Sequence, residues 1–255
     1  MTTVTAIEAR FKNLRRWNIS MGALHAVQAL LVLFLANDFA LPVTATFLTD
    51  APGANAPEIT KLFEIRIAWG VAAFLFLSAA AHWIIASPRV FGWYRKNLLR
   101  DRNYARWIEY ALSSSLMVVL IATLPGITDV AALGAIFGVN AAMILFGLLM
   151  EHYETPGMPD WLSYWFGVLA GAVPWIVIGV YIWGPGSEGS PPTFVYAIFA
   201  TLFVFFNSFA INMVLQYRKT GRWADYLFGE KVYIVLSLTA KSALAWQVFG
   251  GTLAT

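Results

Sequence analysis

Seven runs of about 20 apolar residues, each closed by a short polar break, leave this chain few ways to fold. They lie roughly at 15–36, 64–87, 104–124, 128–150, 162–184, 193–217 and 229–251, and each is long enough to cross a bilayer as a helix. The breaks carry turn chemistry: "NDFALP", "SPRVFGWYRKN", "LPGITD", "ETPGMPD", "GPGSEGSPP" and "RKTGRWAD". Charged residues are only 12% of the chain, against about 25% in ordinary soluble domains. The expectation is a single seven-helix membrane domain spanning 1–255. The longest connection, residues 37–63, holds Pro42, Pro52, Pro57 and the β-prone piece "VTATFL", so a small ordered cap is expected there. The first fifteen residues are polar and amphipathic and do not read as a removable signal peptide. The first span is expected to direct insertion.

Basic residues set the expected orientation. With seven spans, the N-terminus shares a side with the breaks after spans two, four and six. That side carries 14 of the 17 lysines and arginines, the other side only Lys61 and Arg66, and Lys241 lies inside a span. Basic residues stay on the cytoplasmic side, so the N-terminus is expected inside the cell and the C-terminus outside. The absence of cysteine excludes disulfides and thiolate metal sites. A net charge of +3 gives no reason to expect a nucleic-acid partner.

Lys241, in "IVLSLTAKSALAW", is the charge that demands a reason. It lies ten residues after Lys231, about 15 Å along a helix, and so near the middle of a hydrocarbon layer about 30 Å thick. A charge there is costly and normally functional. Glu109, early in the third span, is its natural partner, although counting from Pro125 puts it nearer the cytoplasmic face than the lysine. A boundary glutamate paired with Arg106 or Arg102 is the competing reading. Ser237 lies one turn before Lys241 and Ser113 one turn after Glu109, followed by Ser114 and Ser115. These hydroxyls could orient an ion pair, or bond their own backbone and neighbouring helices. His25 and His82, in spans one and two, could join Glu109 in a proton-accepting polar cluster, or bond across helices. His152 is expected to be solvated in a loop. The second half of the third span, "SLMVVLIATL", holds no carboxylate, whereas a proton path needs relay groups on both sides of its centre.

Aromatics also fall at mid-span, Trp175, Phe205 and Phe206, together with Asn140 and Met143. Individually each could be bundle packing. Together they point to a flat apolar ligand held among the helices. A neutral lysine condenses with an aldehyde to an imine, and a nearby carboxylate favours its protonated form. No nucleotide- or metal-binding motif competes, and no enzymatic reaction is expected.

These residues resemble the microbial-type retinal proteins, and more closely the heliorhodopsin family. The resemblance runs through "NDFALP", "WIEYALSSSLMVVLIA", "AIFGVNAAMILFG", "VPWI", "FFNSFA" and "YIVLSLTAKSALAWQVF". It implies a rhodopsin-like seven-transmembrane-helix bundle with inverted topology and a small β-structure in the first extracellular loop. It further implies all-trans retinal on Lys241 as a Schiff base, Glu109 as counterion, and Ser237 and Ser113 beside them. His25 and His82 match the family's cytoplasmic-side polar cavity. Tyr110, Ser114, Met117, Asn140, Met143, Gly147, Trp175, Phe206 and Asn207 match chromophore-pocket positions. The family is generally dimeric and slow-cycling, without clear ion pumping. Gly134/Gly138 and Gly167/Gly171 form two G-x-x-x-G pairs, which suit close helix contact between or within protomers.

The functional expectation is therefore a light sensor in the lipid bilayer, retinal-bound, signalling to an unidentified cytoplasmic partner or to anionic lipids. The alternatives are a light-driven proton transporter, and a retinal-independent scaffold or lipid-metabolism protein in which Lys241 is incidental.

Overall fold

The computed structural model describes residues 2–184 and 189–254; part of the "GPGSEGSPP" turn lies outside them. In chain order the elements are α1 (Thr2–Leu35), β1 (Ala40–Phe47), β2 (Glu58–Arg66), α2 (Ile67–Ala86), α3 (Phe91–Leu98), α4 (Tyr104–Thr123), α5 (Val130–Tyr153), α6 (Leu162–Trp183), α7 (Thr193–Tyr217) and α8 (Tyr226–Val248). All of these helices except α3 are long and apolar enough to cross a membrane, seven in total among the described residues. The seven expected spans are all present, with shifted edges.

Each shift has a local cause. The expected second span began at 64, but residues up to Arg66 belong to β2. This strand pairs antiparallel with β1 in the register Ala40↔Arg66 to Phe47↔Glu58, with an irregularity between Val43 and Thr44. The expected seventh span began at 229. The helix starts three residues earlier because Asp225 caps it, its carboxylate accepting from Leu227 N at 3.1 Å. Asp129 caps α5 in the same way, accepting from Ala131 N and Ala132 N. Helix α1 runs 34 residues, about 51 Å, well beyond a 30 Å hydrocarbon layer. In its N-terminal half Phe11 and Leu14 pack with Tyr94 and Leu98 of α3. Helix α3 falls within the break "SPRVFGWYRKN", whose composition predicts only a turn.

The two ends of the bundle differ in chemistry. At the hairpin end the core is apolar: Val71, Leu75, Val118, Leu120, Ile121, Ile178, Ile198, Leu202, Leu244 and Val248 are all buried in one cluster. Thr44 fastens the hairpin to the α4–α5 turn through Thr44 N to Thr128 O at 2.9 Å. At the other end buried polar residues gather, among them Asn18, His25, Ser78, Asn103, Arg106, Glu151 and Glu230. Ion pairs Arg10–Asp225 and Arg95–Glu8 clamp that end's surface.

Candidate functional site

Helices α4 and α8 bring Glu109 and Lys241 together. Lys241 Nζ donates to Glu109 Oε1 at 3.0 Å and to Ser237 Oγ at 2.9 Å, and both charged side chains are at least nine-tenths buried. The offset in depth expected from counting residues is present in the backbone, and the lysine side chain spans it. Asn103 Nδ2 donates to Glu230 Oε2 at 2.6 Å, so the start of α4 lies level with the second turn of α8. Measured from that contact, Lys241 is about five residues, or ~7.5 Å, deeper than Glu109. A helical side chain leans toward the N-terminus of its own helix, and the bond to Ser237, one turn back, carries Nζ to the level of the carboxylate.

Glu109 has a further partner that the sequence pattern did not single out. Ser78 Oγ on α2 lies 2.6 Å from Glu109 Oε1 and 3.2 Å from its own helix's Phe74 O. Its one proton goes to the shorter, charged acceptor. Ser113 is fully buried and its hydroxyl has no hydrogen-bond partner among the described residues. Arg106 does not pair with Glu109. It bonds both Glu151 and Glu230 instead, over the faces of Tyr233 and Trp107, and Asn103 N donates to Glu151. Glu151 and Glu230, each near the end of a span, are therefore members of a buried triad with Arg106. Its assembly depends on three helices meeting, which no local spacing reveals. His152 is also not free in a loop: it sits in the last turn of α5, with Nδ1 2.8 Å from Tyr104 OH.

Beside Lys241 lies a cavity of about 290 Å³. Of the residues expected at a ligand pocket, Tyr110, Ser114, Met117, Met143, Gly147, Trp175, Phe206, Asn207, Ser237 and Lys241 line it. Asn140 stands behind the wall, its Nδ2 donating to Ser114 Oγ and Ser115 Oγ at 3.0 Å each. Ser114 in turn donates to Tyr110 O, the back-bonding left open from sequence. Trp175 meets Phe199, Phe203 and Phe206 edge-on, each at 5.4 Å, while Phe205 is half-buried against the apolar core instead. Residues missed from sequence include Trp107, Tyr164, Gly171, Met213 and Tyr233. Trp107 was legible in principle, since Trp107, Tyr110, Ser114 and Met117 repeat on one face of α4. Gly171, read as part of a helix-contact pair, faces α5 here: an added Cβ would run into Met143 Sδ. A Cβ on Gly147 would come within 2.5 Å of the Trp107 ring. Gly134 and Gly138 have nothing within 4 Å of an added Cβ.

A second, polar cavity of about 40 Å³ lies on the other side of Glu109, lined by Asn18, Ser78, His82, Tyr94, Asn103, Arg106, Glu109 and Glu230 among others. Tyr110, Tyr233 and Ser237 line both cavities and so divide them. His82 Nδ1 is 2.7 Å from Asn18 Oδ1. His25 stacks on His82, centroids 5.7 Å apart and planes 14° from parallel, and neither of its nitrogens has a partner among the described residues. Burial pushes the Tyr94 phenol, on the short helix α3 outside the spans, up to about 12.

The arrangement thus offers one buried amine at the wall of an apolar, aromatic cavity, a carboxylate bonded to it, and a separate polar chamber beyond. A family model described as heliorhodopsin matches residues 14–253. No curated protein matches the chain.

Proposed function

The chain belongs to the heliorhodopsin family, and on that premise we propose that it is a light-sensing photoreceptor holding all-trans retinal on Lys241, with Glu109 as counterion. The single observation that carries this reading is Lys241 Nζ at the cavity wall, bonded to Glu109 and Ser237. The residues present suit the group. The cavity is apolar and aromatic, one amine faces it, and Gly147 and Gly171 keep space that a methyl group would fill. Retinal, when bound, supplies visible-light absorption and isomerisation about a double bond.

The chain's own residues do the rest. Glu109 balances positive charge at Nζ, and Ser78 and Ser237 hold the two in register. Trp175, with its ring of phenylalanines, and Met143 shape the flat slot, with Tyr110, Ser114, Met117, Gly147, Phe206 and Asn207 completing it. Asn140 supports that wall from behind through Ser114, and Ser113 lies one turn from Glu109. His82, backed by His25, takes up the proton that the Lys241–Glu109 pair gives up, so charge moves toward the end rich in basic residues. Among the described residues, the core at the hairpin end holds no buried carboxylate or histidine to relay a proton in the opposite direction. The favoured output is therefore a slow cycle and a conformational signal, without net pumping and without enzymatic chemistry.

We also place the N-terminus in the cytoplasm and the C-terminus outside, from the basic-residue asymmetry, and expect a homodimer of single-domain protomers with a cytoplasmic signalling partner. Time-resolved absorption of retinal-loaded wild type and Glu109→Gln, with light-induced pH changes recorded in the same membranes, tests the reading. The expected result is a shifted band in Glu109→Gln and no uncoupler-sensitive pH change in wild type. A wild-type spectrum in the mutant would remove the counterion role. An uncoupler-sensitive pH change would favour proton transport instead.

A further inference from the structure

Asn18, on α1, is 1% exposed. Its Nδ2 donates to Leu14 O at 2.9 Å. A backbone carbonyl only accepts, so the amide is fixed with its nitrogen toward its own helix and its oxygen toward α2. That oxygen lies 2.7 Å from His82 Nδ1. Rotating the amide by half a turn would set two oxygens against each other at Leu14. An amide oxygen has no proton to give, so a bond of this length requires the proton on Nδ1. A neutral imidazole carries one N–H, which leaves the lone pair on Nε2.

We propose that Asn18 is a positioning residue that holds His82 in the Nδ1–H tautomer, making Nε2 the atom that accepts a proton after illumination. The second half rests on the reading of His82 as proton acceptor given above. Uptake at Nε2 turns the neutral ring into an imidazolium, and the proton comes from the Lys241–Glu109 pair. The Nδ1–H bond to Asn18 survives that change and becomes charge-assisted. Nothing on Asn18 titrates. His25 has no such partner, because both of its nitrogens are unbonded among the described residues. The two stacked rings are therefore not equivalent: one is pinned by a hydrogen bond and the other only by packing. The titratable groups sharing the chamber with His82 are Tyr94, Arg106, Glu109, Tyr110, Glu230 and Tyr233.

Solid-state ¹⁵N NMR of histidine-labelled, retinal-loaded protein in lipid bilayers reads the tautomer directly. The chain has three histidines, and a His82→Phe difference spectrum identifies the signals of interest. In darkness His82 is expected to show a protonated Nδ1 and an unprotonated Nε2, with Nε2 gaining a proton under illumination. Asn18→Leu, which has no acceptor, is expected to move the dark-state proton wholly or partly to Nε2 and to lower light-driven protonation of His82 about tenfold. Asn18→Asp, protonated, can donate to Leu14 O and accept from Nδ1, and is expected to restore the wild-type pattern. An Nε2–H signal in dark wild type, or one unchanged in Asn18→Leu, overturns the tautomer assignment. The expected dark pattern with no change at His82 under light overturns the proton-acceptor reading alone.

Discussion

Arg106→Gln is the substitution whose cost the structure fixes best. The guanidinium bonds both Glu151 and Glu230, and the three side chains are 4%, 2% and 1% exposed. Glutamine keeps some bulk but removes the only cation among the described residues that touches either carboxylate. What stays is Asn103, through its N and Nδ2, and the Tyr226 hydroxyl 3.3 Å from Glu151 Oε2. Breaking one buried ion pair by deleting a partner costs about 3–5 kcal/mol. Here two carboxylates lose the same cation, so the upper part of that range is expected, along with lost stacking on Tyr233. By contrast, deleting one partner of the exposed pair Lys61–Glu64 should cost no more than about 1 kcal/mol. The assay is chemical unfolding of retinal-loaded protein in mixed micelles, followed by loss of the visible band. A triple variant, Arg106→Met with Glu151→Leu and Glu230→Leu, removes charge and countercharge together and should recover part of the loss. Wild-type stability in Arg106→Gln, or a triple variant worse than the single one, would refute the reasoning.

Three further outcomes are expected. Gly171→Val places methyl groups where Met143 Sδ already sits and should sharply reduce the visible band formed with added retinal; normal uptake would show that the wall yields. The raised Tyr94 phenol gives a pH dependence whose sign follows from linkage: the unfolded phenol ionises near pH 10 and the folded one at about 12. Its contribution, roughly 3 kcal/mol at most, is complete below pH 10 and lost as pH rises through 12. Tyr94→Phe should therefore flatten the loss of stability between pH 10 and 12, and an identical slope would count against it. Because the chain has no cysteine, single cysteines report orientation: Gly53→Cys in the hairpin loop should react with an impermeant maleimide on intact cells and Thr220→Cys should not, and the reverse would invert the topology.

The spans were legible because bilayer thickness imposes a length that apolar runs either meet or miss. Lys241 was legible because one ammonium in such a run has no cheap explanation. The strand "VTATFL" was legible from its β-branched residues. What escaped depended on approach between distant segments. Ser78 is one serine in a helix until Glu109, 31 residues away, comes to 2.6 Å. Arg106, Glu151 and Glu230 each sit near a span end, where a charge needs no special reason, and only the meeting of α4, α5 and α8 makes them a buried triad. Helix α3 was too short and too polar to register as more than a turn, yet it places Tyr94 in the polar chamber. Gly171 carried a motif that suits any close contact, and only the structure shows that it meets Met143 of α5.

The central claim is that Lys241 is the attachment point for retinal. The most direct measurement is mass spectrometry of the protein incubated with all-trans retinal, reduced with borohydride and digested. A retinyl group on the peptide containing Lys241, together with a visible band that Lys241→Ala lacks, is the predicted result. An adduct on another lysine, or a visible band that survives in Lys241→Ala, would contradict it.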